Sequence, residues 1–263
     1  MAARNFLFAL DNEDVSLARF LETAARVTGF MQGAPGGPLP GWYVPYTDNA
    51  LFLTQLYARL EATYPAAGRP FYAVRLLTNL FWQPAYLAVI GTHVHGAMPQ
   101  LSRLSQQLKG VDVSGFRLPP GPQYKAPLDD LILRAGTDLR AFADALLAEI
   151  NTVTKLRREP ALRLVTDRML GLMLRLRDYV PGITLEEQRR FCGLWLSAMG
   201  LVGKGDLETL DLADGRQVLI SARKGCCLDY LAFPGVYCST CPKQDKDLRL
   251  ARQRFGALAE IDV

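Results

Sequence analysis

Apolar residues recur at helical spacing over most of the chain. The clearest case follows Pro160, where five apolar residues fall on one face: Leu162, Val165, Met169, Leu172 and Leu176. A repeat near 3.6 residues predicts amphipathic helices packed on a core. The same pattern begins near Asn12, runs from Asp48 toward Tyr64, covers much of 69–90 and 128–156, follows Thr184, and reappears in a charged segment at about 245–258.

The period of the pattern changes to two before the C-terminus. Leu210 and Leu212, then Val218 and Ile220, alternate with polar neighbours on either side of Asp214-Gly215. Strict alternation around an Asp-Gly pair is typical of a β-hairpin. The fold class predicted is therefore α+β, a predominantly helical body with a C-terminal hairpin that leads into a cysteine-rich loop.

Local signals mark where helices begin and where the chain breaks. Thr184 and Glu187 have capping-box spacing, and Pro84 should kink or split its helix. Residues 115–127 hold four prolines, which oppose a regular helix and most central strands. We place a soft boundary there, between an N-terminal helical portion, 1–118, and a second portion, 119–263, with the hairpin and the cysteines. A single domain remains the alternative.

Composition excludes several classes of protein. Hydrophobic residues make up 49% and charged residues 21% of the chain, which is ordinary for a globular protein. The net charge of +4 is too small to indicate nucleic-acid binding. No export signal is evident at the N-terminus, and no apolar run approaches a bilayer span. We expect a cytoplasmic protein without a transmembrane segment, and leave peripheral contact with the inner membrane open.

Four of the five cysteines lie within sixteen residues: Cys226, Cys227, Cys238 and Cys241. In a reducing compartment such a cluster indicates a metal site rather than a disulfide framework. A C-x-x-C loop brings two sulfurs to one metal. Adjacent cysteines converge only if the backbone turns, which Gly225 permits. Four thiolates satisfy a [2Fe–2S] cluster.

Other interpretations of these residues remain open. Structural zinc also accepts four cysteines, although it usually draws on two C-x₂₋₄-C loops and an adjacent pair suits it poorly. A redox disulfide or persulfide is a third alternative. Cys192 is in register with Trp195 and Met199, which predicts a buried core thiol. His93 and His95 fit a helix end better than a metal site.

The cysteine spacing resembles that of the FhuF-like siderophore-iron reductases. Cys-Cys, ten residues and Cys-x-x-Cys match that signature, and Lys224 and Gly225 precede the pair as they do there. The resemblance covers only the last fifth of the chain. It implies a [2Fe–2S] cluster held by all four cysteines, and an oxidoreductase that releases iron from a ferric siderophore, with hydroxamate chelates as the expected substrates.

Electrons would have to come from outside this chain, because it carries no nicotinamide or flavin fingerprint. A ferredoxin-like protein or a reductase is the expected donor. Three basic residues flank the cysteines and either tune the cluster or form an ordinary solvated surface: Arg223, Lys224 and Lys243. The alternatives in function are a non-enzymatic electron carrier, an iron or redox sensor, and a zinc-stabilised binding module.

Overall fold

The structure is a computed structural model that describes residues 12–212 and 215–259. Its helices are α1 Asn12–Val27, α2 Ala50–Thr63, α3 Gly68–Ile90, α4 Leu128–Val153, α5 Arg158–Leu174, α6 Leu176–Tyr179, α7 Leu185–Ala198, α8 Asp229–Ala232 and α9 Lys246–Ala259. Its strands are β1 Gly33–Pro35, β2 Ser105–Lys109, β3 Asp112–Leu118, β4 Asp206–Asp211 and β5 Gln217–Ala222. A helical body with two small sheets confirms the predicted fold class.

Helix α3 lies at the centre of the helical body. It packs against α2, α4 and α5, and most of its side chains are buried. A helix that is apolar on every side is stable only when other elements surround it. The hydrophobic core around α3 includes residues from Leu17 to Leu219, on both sides of the proposed boundary, and the division into two portions stays a prediction.

Pro84 neither splits nor ends α3, which runs without interruption from Gly68 to Ile90. Proline has no N–H, so the carbonyl of Leu80 loses its intrahelical partner. The side-chain amide of Gln106 donates to that carbonyl at 3.1 Å and to Oε1 of Gln83 at 2.9 Å. A glutamine on β2 therefore supplies the hydrogen bond that the proline removes.

A three-stranded sheet lies within the portion expected to be helical. The strand order is β1-β3-β2, with β1 parallel and β2 antiparallel to β3. The central strand β3 ends at Leu118, immediately before Pro119. The expectation that residues 115–127 oppose a regular helix and most central strands does not hold for 115–118, because the prolines follow this central strand instead of interrupting it.

Two local predictions for the C-terminal half are confirmed, the capping box and the pairing of the hairpin strands. The backbone N–H of Thr184 donates to the Glu187 carboxylate at 2.8 Å, and that of Glu187 donates to the Thr184 hydroxyl at 3.1 Å. Strands β4 and β5 form the predicted antiparallel hairpin. Asp214 of the predicted turn lies outside the described residues, as do residues 1–11. Among the described helices, none is long and apolar enough to span a bilayer.

His93 lies in a single π-helical turn, Gly91–His95, that continues α3. Nε1 of Trp195 donates to Nε2 of His93 at 3.0 Å. Burial lowers the pKa of His93 to about 4, so the folded protein disfavours its protonation. The unfolded chain binds that proton near its ordinary pKa of 6.5. The contribution of His93 to stability is therefore fully present above pH 6.5 and declines as the pH falls toward 4.

Replacing His93 by glutamine should remove this pH dependence, because the amide oxygen still accepts from Trp195 and does not titrate. Between about pH 7.5 and pH 5, wild type should lose about 2 kcal/mol more unfolding free energy than His93→Gln. Urea denaturation at both pH values measures the difference. Equal losses in the two proteins would show that His93 is not the titrating group.

Candidate functional site

The cysteine segment begins where β5 ends and packs directly on helix α5. A Cβ atom at Gly225 would lie 2.6 Å from Oδ2 of Asp167 and 3.1 Å from the backbone of Arg163 and of Leu164. Glycine is thus the residue that allows the chain to approach the helix this closely. This contact fixes the position of the chain just before the cysteine pair.

The backbone turns after the cysteine pair, not before it. Leu228 has a φ of 61°, in the left-handed region that non-glycine residues rarely adopt. Gly225 is not among the residues with positive φ, so its contribution is close packing. The backbone N–H of Asp229, next in the chain, donates to the sulfur of Cys227.

Cys227 and Cys238 are brought into contact by this turn. Their thiols are hydrogen-bonded, with Cys227 as the donor. That hydrogen bond, with help from Arg223, lowers the pKa of Cys238 to about 7 and raises that of Cys227. Cys241 is buried, and its backbone N–H donates to the Cys238 carbonyl at 3.0 Å. Two of the four predicted ligands, Cys227 and Cys238, therefore lie together, and the backbone of Cys241 is hydrogen-bonded to one of them.

A buried ion pair holds a guanidinium against this thiol group. Nε of Arg223 donates to Oδ2 of Asp167 at 3.1 Å, and the same oxygen accepts from the N–H of Gly225 at 3.0 Å. Nη1 of Arg223 lies 3.6 Å from the Cys238 sulfur and 2.9 Å from the Thr240 hydroxyl. The Thr240 hydroxyl in turn donates to Cys238. Asp167 thus connects α5 to both the guanidinium and the cysteine segment.

Positive charge exceeds negative charge in the cavity that Cys227 and Cys238 line. The cavity, of about 380 Å³, is also lined by three arginines and two carboxylates: Arg75, Arg168, Arg223, Asp167 and Asp229. Arg75 lies 3.7 Å from Asp229, whereas no carboxylate in the described ranges pairs with Arg168. Burial lowers the pKa of Arg168, and the neighbouring arginines lower it further. The cavity is suited to a group that carries negative charge.

Cys226 lines a different cleft from the cavity that Cys227 and Cys238 line. In the part of the chain that the structure describes, no three His, Cys, Asp or Glu side chains are arranged to hold a metal ion. The donor set, four thiols with two in contact, fits an iron–sulfur cluster chemically. Binding by all four would require the thiol of Cys226, which lines the other cleft, to reach the cavity of Cys227 and Cys238.

Comparison with known proteins leaves this site to be interpreted from its own geometry. No protein-family model matches the chain, and no solved structure matches it either. The resemblance to the FhuF-like reductases therefore rests on the cysteine spacing and the residues next to it.

The remaining sequence predictions near the site have mixed outcomes. Cys192 is 2% exposed, and burial raises its pKa to about 12, which confirms a core thiol. Arg223 does contact the cysteines, whereas Nζ of Lys224 donates to the carbonyl of Gly203 at 2.8 Å. His93 and His95 hydrogen-bond to Trp195 and Gln123 and lie outside both cysteine-lined cavities.

Sequence reasoning did not find Asp167, Thr240 or Arg75. Asp167 is the one of the three that the sequence could best have indicated, because it is a carboxylate within a run of buried residues on α5. A buried carboxylate usually has a charged partner, so a carboxylate in an apolar run predicts a buried ion pair. The partner itself, Arg223, is 56 residues further along the chain, and no local pattern indicates the pairing.

Proposed function

We propose that this protein is a ferric-siderophore reductase of the FhuF-like type. In this proposal Cys226, Cys227, Cys238 and Cys241 hold a [2Fe–2S] cluster. Such a cluster supplies one electron at a time, which converts the Fe(III) of a chelate to Fe(II). Hard oxygen ligands hold Fe(II) far less tightly, so the metal is released. The observation that carries the proposal is the contact between Cys227 and Cys238. These two residues belong to the Cys-Cys, ten residues, Cys-x-x-Cys spacing, and Arg223 lies beside Cys238.

The surrounding residues have defined roles in this proposal. Arg75, Arg168 and Arg223 offset the negative charge of four thiolates and bound sulfide. Hydrogen bonds from Thr240 and from the N–H of Asp229 reach two of the sulfurs, and such bonds adjust reduction potential. No acid, base or nucleophile is needed, since only an electron moves.

The test is anaerobic reconstitution with iron and sulfide, followed by titration with ferric hydroxamates. We expect a red-brown protein with about two irons per chain that dithionite bleaches. The reduced protein should then be oxidised by the ferric chelate in proportion to the Fe(II) captured by an added Fe(II) chelator. Reduction by a ferredoxin and its reductase in place of dithionite tests the external donor.

Two outcomes would count against the proposal in different ways. A colourless protein that holds one zinc per chain would favour the zinc-stabilised binding module. An iron–sulfur protein whose reduced form is not oxidised by any ferric chelate would favour an electron carrier or a sensor.

A further inference from the structure

The cleft that contains Cys226 is the largest of the described cavities, at about 1180 Å³. Its walls come from α2, the N-terminal part of α3, the end of α4, the start of α5 with the connection between them, and the cysteine segment. One lining residue is acidic, Glu61. Six are basic: Arg69, Lys155, Arg157, Arg163, Lys224 and Lys243. The cleft is thus strongly positive beside one of the four cysteines.

Most of this positive charge is not neutralised by neighbouring residues. Arg163 pairs with Glu159 at 3.2 Å, and Lys224 bonds to a backbone carbonyl. For the other four basic residues no ion pair is present within residues 12–212 and 215–259. These four side chains are exposed to solvent. Like charges around a concave surface reinforce one another and attract anions.

We infer that this cleft binds an anionic ferric chelate, one that carries carboxylates in addition to the groups that hold iron. The inference rests on the proposed function and names the substrate class for the same site. The wall position of Cys226 would place the bound chelate directly beside the cysteine segment. Arg69, from α3, and Lys243, from the segment after Cys241, line the cleft and would face the bound chelate from two different elements.

The shape of the surface favours a small chelate over an acidic protein. Small-molecule sites are clefts of about 300–1000 Å³, and this cleft is slightly larger than that range. An acidic electron donor would dock on a flatter surface and leave this cleft unfilled. Charge also predicts selectivity, because a neutral or cationic hydroxamate chelate gains nothing from the basic walls.

Gallium(III) complexes test binding without electron transfer, because gallium(III) is not reduced under these conditions. The two probes are gallium(III) aerobactin, a citrate-based dihydroxamate with net negative charge, and gallium(III) desferrioxamine B, which is cationic. Equilibrium dialysis with full-length protein should show binding of the first and little of the second. Affinity for the first should fall as ionic strength rises.

The double variant Arg69→Glu/Lys243→Glu should weaken binding of gallium(III) aerobactin by about tenfold or more. Lys109→Glu is the control for a single charge reversal outside the cleft, since Lys109 is an exposed basic residue there, and it should bind as wild type does. Thermal melting by circular dichroism establishes that each variant is folded.

The outcomes separate this inference from the proposed function. Failure to bind gallium(III) aerobactin, or an equal loss in Lys109→Glu, would overturn the inference. A double variant that binds the complex normally but accepts electrons poorly from a ferredoxin would also overturn it, in favour of a donor site. Selective binding of gallium(III) aerobactin, without reduction of the ferric complex, would support the cleft and count against the reductase.

Discussion

Serine in place of Cys227 or Cys238 is expected to reduce the iron content of the reconstituted protein by about tenfold or more. These two thiols are already in contact, and the pKa of Cys238 is lowered to about 7, so a thiolate is available at neutral pH. Serine at position 226 or 241 should have the same effect if all four cysteines are ligands. Iron, acid-labile sulfide and the visible spectrum, measured after anaerobic reconstitution, report the loss.

Cys192→Ser is the matched control, because Cys192 is a buried cysteine on α7 that lies outside both cysteine-lined cavities. Its spectrum and iron content should equal those of wild type. The buried hydroxyl should cost about 1–2 kcal/mol of unfolding free energy. The ligand set would be refuted if any one of the four other serine variants kept its full iron and its spectrum. Cys226→Ser is the sharpest case, since Cys226 lies in the other cleft.

Local patterns in the sequence predicted the elements whose signals lie close together along the chain. The apolar stripe that follows Pro160 is buried as expected, although its last residue, Leu176, lies in α6. Thr184 and Glu187 form the capping box that their spacing indicates. The four alternating residues of the hairpin are buried in a small cluster with Leu250. Each of these features depends on residues that lie within a few helical turns of each other or in one hairpin.

Features that depend on distant residues were not predicted. Strand β1 has three residues, too few for a detectable period, and it pairs with residues more than eighty positions away on β3. The continuity of α3 through Pro84 depends on Gln106, which a local proline rule does not include. The structure likewise places Cys226 and Cys227 in the walls of different cavities, because consecutive side chains of an extended chain point to opposite sides.

The ion pair between Asp167 and Arg223 is the distant contact with the greatest consequence for the site. The side chains are 4% and 16% exposed, respectively. Burial raises the pKa of Asp167, and the guanidinium of Arg223 opposes that rise. One carboxylate oxygen accepts from both Arg223 and Gly225, while Oδ1 is buried without a hydrogen-bond partner in the described structure. Each of the two buried charges is therefore stabilised by the opposite charge beside it.

Asp167→Asn should destabilise the protein by about 3 kcal/mol, because it leaves the guanidinium of Arg223 buried without a counter-charge. Arg223→Gln should cost a similar amount for the opposite reason. The double variant should be at least about 1 kcal/mol more stable than the sum of the two losses predicts. Urea denaturation of the metal-free protein measures all three, so the result does not depend on the cluster.

Asp138→Ala provides the comparison with a surface ion pair. Asp138 and Arg134 form an ion pair of the same length, 3.1 Å, but their side chains are 55% and 62% exposed. Loss of this exposed ion pair should change the unfolding free energy by no more than about 0.5 kcal/mol, because solvent screens both charges. If Asp167→Asn were equally mild, Arg223 would not need Asp167 as its counter-charge. The contact of Arg223 with Cys238 would then have to be maintained by Thr240 and the cysteine segment alone.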